Sequence, residues 1–471
     1  MFLNHSFKTL VRNRRPVLLK SYSSISPAFN PPLSAPAPII PVLAYQNLER
    51  EPYWQKIPQW KSIKEEEFLK YSWQIANTVQ STPKLSNFLE SVLPSKIPHN
   101  DISQSNTQIS SREEFILDVM DGINLAPMST RLTPHILSRI DWTNNPLGDP
   151  LRKQFIPMKS SVLPDHPKLT LDSLGETNDS PVQGLVHRYP DKALFLAISV
   201  CPVYCRFCTR SYSIGGETPS TKKSRFLPTR KRWSKVFDYI ASTPSLHDIV
   251  ISGGDAYYLD PQQILEIGQH LLSIPHIRRI RYASKGLAVC PSRILDGEDS
   301  WAETLVQVSA TARMMGKSVA LHTHFNHPNE ITWVTKLAAQ RLYENGVTVR
   351  NQTVLLRGVN DDCETMKGLI HSLAEMNIQP YYVYQGDMVR GVEDLRTPLH
   401  KSLELERNIR GTVAGFMMPQ FVVDLPAGGG KRLVSSYDSY DRETGVSRFT
   451  APGVKGTNTF EYHDPVWSVA A

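Results

Sequence analysis

The chain has 471 residues, 40% of them hydrophobic and 21% charged, an ordinary folded composition with material for two or three structural units. No apolar stretch reaches the roughly 18 residues of a membrane helix, and five cysteines, three of them clustered, argue against a disulfide framework and for a reducing compartment. The net charge of +7 suggests nucleic acid as a partner, but five cations precede the first acid, Glu49, and the remainder carries only +2.

Those cations are Lys8, Arg12, Arg14, Arg15 and Lys20, followed by a serine-rich patch at 21–26. Basic, serine-rich and acid-free is the composition of a mitochondrial presequence, and it lacks the apolar core of a secretory signal. Six prolines in the fifteen residues 27–41 then exclude a helix or a central strand, so residues 1–45 read as presequence and linker. Apolar residues at helical spacing over 60–80 open an N-terminal helical region that extends to about residue 180.

From residue 192 short apolar runs alternate with longer amphipathic ones. Strands are expected at 193–199, 249–252, 277–283, 318–325, 347–356 and 381–385. Helices are expected between them at 230–242, 261–274, 301–315, 331–345 and 364–377. Residues 181–425 therefore predict an α/β fold, a partial (β/α)6 barrel of TIM-like type, with 426–471 as a short C-terminal extension. The chemically loaded residues fall just after strand ends, where barrel enzymes place their sites.

Cys201, Cys205 and Cys208, spaced C-x3-C-x2-C, follow the first of these strands. Three thiolates at this spacing can bind three irons of a four-iron cluster and leave the fourth open to a small molecule. A structural zinc site would want a fourth ligand in a second knuckle, and no second cysteine pair follows. The spacing resembles the radical S-adenosylmethionine superfamily. Near the C-terminus stands Asp424-Leu-Pro-Ala-Gly428-Gly-Gly430-Lys431. Glycines let backbone approach a ligand closely, and a lysine in an apolar site has a lowered pKa and can condense with an aldehyde.

Together the two centres resemble the lysine 2,3-aminomutase family, radical enzymes that carry pyridoxal phosphate on a lysine. Supporting stretches are His187-Arg-Tyr-Pro-Asp191, Cys205-Arg-Phe-Cys-Thr-Arg210, Ser252-Gly-Gly-Asp255, Thr323-His-Phe-Asn-His-Pro-Asn-Glu330, Asn351-Gln-Thr-Val-Leu-Leu-Arg-Gly-Val-Asn-Asp361 and Arg396-Thr-Pro398. The resemblance implies a 4Fe-4S cluster on the three cysteines and S-adenosylmethionine against Gly253, Gly254, Asp255 and His324. It further implies pyridoxal phosphate on Lys431, the catalytic lysine, with Arg188, Tyr189, Gln352 and Tyr384 lining that site. Arg210 would clamp the substrate carboxylate, a match for a planar guanidinium. Asp387 and Asp424 would hold the far ammonium of L-lysine, because a buried charge must be compensated.

The activity implied is an isomerase that interconverts L-lysine and β-lysine in the mitochondrial matrix, with an electron donor for the cluster and neither nucleic acid nor membrane as partner. The family's zinc between subunits needs a C-terminal cysteine cluster, and no cysteine follows Cys363, so any homo-oligomer would form without that zinc. Three rival readings are the same chemistry on a protein-bound lysine or another amino acid, an RNA-modifying radical enzyme, and a non-catalytic metal-binding module. The RNA-modifying enzyme would need no Lys431 with Asp387 and Asp424, and the metal-binding module would need neither the Gly253-Gly-Asp255 loop nor the Gly428-Gly-Gly430-Lys431 loop.

N-terminal sequencing of the protein from isolated mitochondria is expected to give a mature chain that begins before about Glu49. Mature protein that still begins near Met1 in the cytosol would contradict the targeting reading.

Overall fold

The computed structural model describes residues 48–98 and 109–469, so the expected presequence and linker lie outside the described residues. Nine strands form one sheet in sequence order: β1 (Leu185–Tyr189), β2 (Lys192–Ile198), β3 (Asp248–Gly253), β4 (Arg279–Ala283), β5 (Ser318–Thr323), β6 (Thr348–Val354), β7 (Gln379–Tyr384), β8 (Gln420–Leu425) and β9 (Gly430–Leu433). Strands β2 to β8 pair in parallel, and β1 and β9 flank them antiparallel. A helix crosses over between each parallel pair: Arg230–Ala241, Pro261–Ser273, Trp301–Met314, Trp333–Glu344, Cys363–Glu375 and Leu399–Ile409. The expected partial (β/α)6 barrel is present, with a seventh parallel strand after the sixth unit. β8 escapes a periodicity reading because Phe421, Val422, Val423 and Asp424 are all buried, without the alternation of a half-exposed strand.

Helix starts follow local chemistry. The Pro261–Ser273 helix has proline at its first position, and Asp260 accepts from the Gln263 N–H at 2.7 Å while Gln263 accepts from the Asp260 N–H at 3.0 Å. Between sheet and helices, Phe195, Ile249, Ile251, Ile280 and Leu321 pack with Trp233, Val236, Ile264 and Leu305 in one core.

Residues 60–80 do not form the single helix their spacing predicts. They give Glu65–Phe68 and Tyr71–Ala76, separated by an extended Lys70, because Asp296 accepts the Tyr71 N–H at 2.7 Å and starts the second piece anew. These pieces, with Thr82–Val92 and Arg112–Leu125, belong to the same apolar core as the barrel. Among the described residues no helix is long and apolar enough to cross a membrane.

The C-terminal extension is a second sheet of β10 (Ser439–Asp441), β11 (Val446–Ala451) and β12 (Gly456–His463), all antiparallel. It ties down the end of β7: the Tyr462 hydroxyl donates to the Gly386 carbonyl at 2.8 Å, and the Asp464 carboxylate accepts from the Leu399 N–H at 2.8 Å and the Tyr440 hydroxyl at 2.7 Å.

Candidate active site

The loop after β2 carries Cys201, Cys205 and Cys208, all free and half-buried. Two glycines set its position. A Cβ on Gly253, whose φ is +108°, would lie 2.3 Å from the Ile198 carbonyl oxygen, and one on Gly254 would lie 2.3 Å from that of Val200. Only glycine lets the end of β3 cross so close to the start of the cysteine loop. The neighbouring N–H groups fasten the crossing, Gly254 to Ile198 O at 2.5 Å and Asp255 to Val200 O at 3.0 Å. The Asp255 carboxylate faces inward, accepting from the N–H groups of Tyr257 at 2.8 Å and Lys285 at 2.7 Å.

Desolvation pushes all three thiols up, Cys205 to about 12, and the Cys201 thiol is raised further by Asp255 and by the other two. They therefore share one electrostatic site, although among the described residues no three such side chains converge on a single-ion position. His324, past the end of β5, stacks on Phe207 with ring centroids 5.8 Å apart. Its Nε2 is buried without a hydrogen-bond partner among the described residues, and burial holds its pKa well below that of free imidazole, so the ring is neutral.

At the other side of the barrel mouth, the β8–β9 register sets Asp424 directly opposite Lys431. The turn between them uses Gly428 at φ +88° and Gly430 at φ +80°, and a Cβ on Gly430 would sit 3.0 Å from the Tyr189 hydroxyl. That hydroxyl accepts the Lys431 N–H at 3.1 Å. The Lys431 ammonium donates to Asp424 Oδ2 and lies 5.5 Å from the centre of the Tyr384 ring, whose hydroxyl donates to Gln352 at 2.8 Å. Thus Tyr189, Gln352, Tyr384, Asp424 and Lys431 do come together.

The protonation of Lys431 reverses the expectation from sequence. Desolvation does work against its charge, but Asp424, Tyr384 and Tyr189 outweigh it and raise its pKa well above that of free lysine. Before it can condense with an aldehyde, Lys431 must lose a proton.

Asp387, just past β7, faces this pair. Burial and then the Asp424 charge raise its pKa to about 7, and its Oδ1, like Asp424 Oδ1, is buried with no hydrogen bond among the described residues. Arg188 Nη1 is 3.9 Å from Asp424 Oδ1.

Both arginines singled out in the sequence are already paired, and one segment does it. Asp172 turns residues 172–177 by accepting the N–H groups of Glu176 at 2.9 Å and Thr177 at 3.0 Å. Glu176, 3% exposed, then binds Arg210 through Nε at 2.9 Å and Nη2 at 2.7 Å, with the Tyr212 hydroxyl donating to it at 2.9 Å. Asp179 accepts from Arg188 Nε at 2.7 Å, and the Ser173 carbonyl accepts the Ala427 N–H at 2.8 Å. The Nε–Nη2 edge of Arg210 is thus committed within the protein. Sequence reasoning missed Glu176 and Asp179, and the one signal for them is the general need of a buried guanidinium for an anion.

A cysteine loop after the first parallel strand and an Asp–Lys cross-strand pair at the last define a partial-barrel protein with its chemistry at the carboxyl ends of the strands. No family model matches the chain. It is similar to the L-lysine 2,3-aminomutase of Fusobacterium nucleatum, 36% identical over 375 residues that cover 79% of this chain and 78% of the relative. It is also similar to that of Clostridium subterminale, 35% identical over 79% of this chain and 80% of the relative, and to the glutamate 2,3-aminomutase of Clostridioides difficile, 29% identical over 80% and 79%. The chain belongs to the lysine 2,3-aminomutase family, whose named members are isomerases.

Glu176→Gln is expected to lower folding stability by about 3 kcal/mol, because it strands a buried guanidinium. Tyr212→Phe, which removes one hydrogen bond, is expected to cost about 1 kcal/mol. Denaturant midpoints of the two variants measure the difference; equal losses would mean that the ion pair does not anchor Arg210.

Proposed function

We propose that the chain is an L-lysine 2,3-aminomutase. One observation carries this reading: two carboxylates, Asp387 and Asp424, each keep a buried oxygen with no hydrogen bond among the described residues, at the same end of the barrel. An unsatisfied buried acceptor costs about 1–3 kcal/mol, more when charged, and a substrate ammonium would remove that cost at both residues. A substrate with a side-chain carboxylate, such as glutamate, would meet repulsion there instead.

The residues also fit the cofactors of the proposal. Three electrostatically coupled thiols suit a four-iron cluster. The unpartnered Nε2 of His324 and the close crossing at Gly253 and Gly254 suit S-adenosylmethionine beside it. The Gly428–Gly430 turn with Lys431, Arg188, Tyr189, Gln352 and Tyr384 suits pyridoxal phosphate. When bound, these groups would supply a 5'-deoxyadenosyl radical, given an external electron donor, and the π-system through which the amino nitrogen passes from C2 to C3.

The chain's own work is positional. Lys431 gives up its proton and its contact with Asp424 to hold the cofactor, which frees Asp424 for the substrate ammonium. Asp387 ionises to complete that pair. Arg210 offers the substrate carboxylate the edge that Glu176 leaves open, and Glu176 keeps the guanidinium charged and fixed. Residues 172–180, packed on the glycine turn, help keep water from the reacting atoms.

The pH dependence of lysine binding tests this. The charged groups about Asp387 are Asp424, Lys431 and Glu176. With charged Lys431 beside it the Asp387 pKa is raised to about 7, and once Lys431 gives up its charge that lowering influence is lost, so Asp387 ionises only above that pH. The Michaelis constant for L-lysine should therefore fall as pH rises above about 7, and Asp387→Asn should abolish the dependence. Asp424→Asn should weaken lysine binding by about 3 kcal/mol and leave the absorption of lysine-held cofactor in place. If both variants bind lysine as the parent does at every pH, these residues do not read the substrate.

A further inference from the structure

The ion pairs at the glycine turn do not stop at Arg188. Lys431 pairs with Asp424, whose other oxygen is 3.9 Å from Arg188, and Arg188 pairs with Asp179 at 2.7 Å. The second oxygen of Asp179 accepts from Lys455 Nζ at 3.2 Å. Charges alternate along this line, and it ends on a cation that no motif singled out.

Lys455 stands between β11 and β12, at the tip of their hairpin and 276 residues along the chain from Asp179. The hairpin is seated on the turn itself. A Cβ on Gly429 would lie 2.8 Å from the Phe460 ring of β12, and one on Gly428 would meet Asp179 Oδ2 at 3.1 Å, Arg188 Nε at 3.6 Å and Lys455 Cε at 3.7 Å. Exposure rises outward, from 6% for the Arg188 side chain through 13% for Asp179 to 35% for Lys455. Arg188 with Asp179 alone is a neutral couple. Lys455 makes this end of the site net positive, and it does so at the side open to solvent.

We propose that Lys455 is a cofactor-binding residue: with Arg188 it receives the phosphate monoester of the aldehyde cofactor held by Lys431. The inference rests on the cofactor reading given above. A phosphate monoester carries nearly two negative charges at neutral pH, so a neutral couple serves it poorly and two cations about one carboxylate serve it well. The C-terminal hairpin thereby becomes part of the cofactor site as well as a cover over it.

Equilibrium titration of the full chain with pyridoxal phosphate and with pyridoxal, followed by the absorption of lysine-held aldehyde and by equilibrium dialysis, tests this without reference to turnover. Lys455→Ala is expected to raise the dissociation constant for pyridoxal phosphate about tenfold, the size of one charge-assisted hydrogen bond, and to leave that for pyridoxal unchanged. Lys455→Arg should keep most of the phosphorylated cofactor's affinity. Equal affinity in parent and Lys455→Ala, or an equal loss for both aldehydes, overturns the proposal and leaves Lys455 as a pin for the hairpin. A parent chain that holds neither aldehyde on Lys431 overturns the cofactor reading itself, and this inference with it.

Discussion

The site depends on one cross-strand pair. The antiparallel register of β8 and β9 puts Asp424 opposite Lys431 at the mouth of the barrel, and neither charge is tolerable there without the other. In the unliganded chain Asp424 holds Lys431 protonated. In the working enzyme we propose, the lysine leaves and the same carboxylate passes to a substrate ammonium. On that proposal one residue couples cofactor attachment to the appearance of a binding site, and Asp387, its pKa raised by burial and by Asp424, completes that site when it ionises.

Around this pair, the barrel keeps two chemistries apart and in register. The cysteine loop leaves β2 where Gly253 and Gly254 let β3 cross beneath it, and the Lys431 turn closes β8 onto β9. Both centres open at the carboxyl ends of the parallel strands, with β5 to β7 contributing His324, Gln352, Tyr384 and Asp387 between them. Residues 172–180 and the C-terminal hairpin then bring counter-charges from outside the barrel, Glu176 to Arg210 and Asp179 to Arg188 and Lys455.

Much of this was legible in the chain. The strand runs from 193 to 385 match β2 to β7 within two or three residues, because short β-branched and aromatic runs between amphipathic helices leave little choice. Gln352 with Tyr384, joined by a side-chain hydrogen bond, and Asp424 with Lys431, set opposite by register, are residues that the family resemblance implies. What escaped was non-local. Glu176 and Asp179 sit in an irregular segment whose meaning depends on arginines that only the fold brings near. The state of Lys431 is opposite to what sequence suggests, because sequence shows burial and not the partner charge that outweighs it. The break at Lys70 likewise follows from Asp296, more than 200 residues away in the chain.

The identity of the substrate is the central claim, and competition between two amino acids tests it most directly. Anaerobically reconstituted protein, given L-lysine and L-glutamate in one vessel with S-adenosylmethionine, pyridoxal phosphate and a reductant, is expected to yield β-lysine and no β-glutamate on product chromatography. Formation of β-glutamate at a comparable rate would contradict the account, because Asp387 and Asp424 could not then be reading a cation.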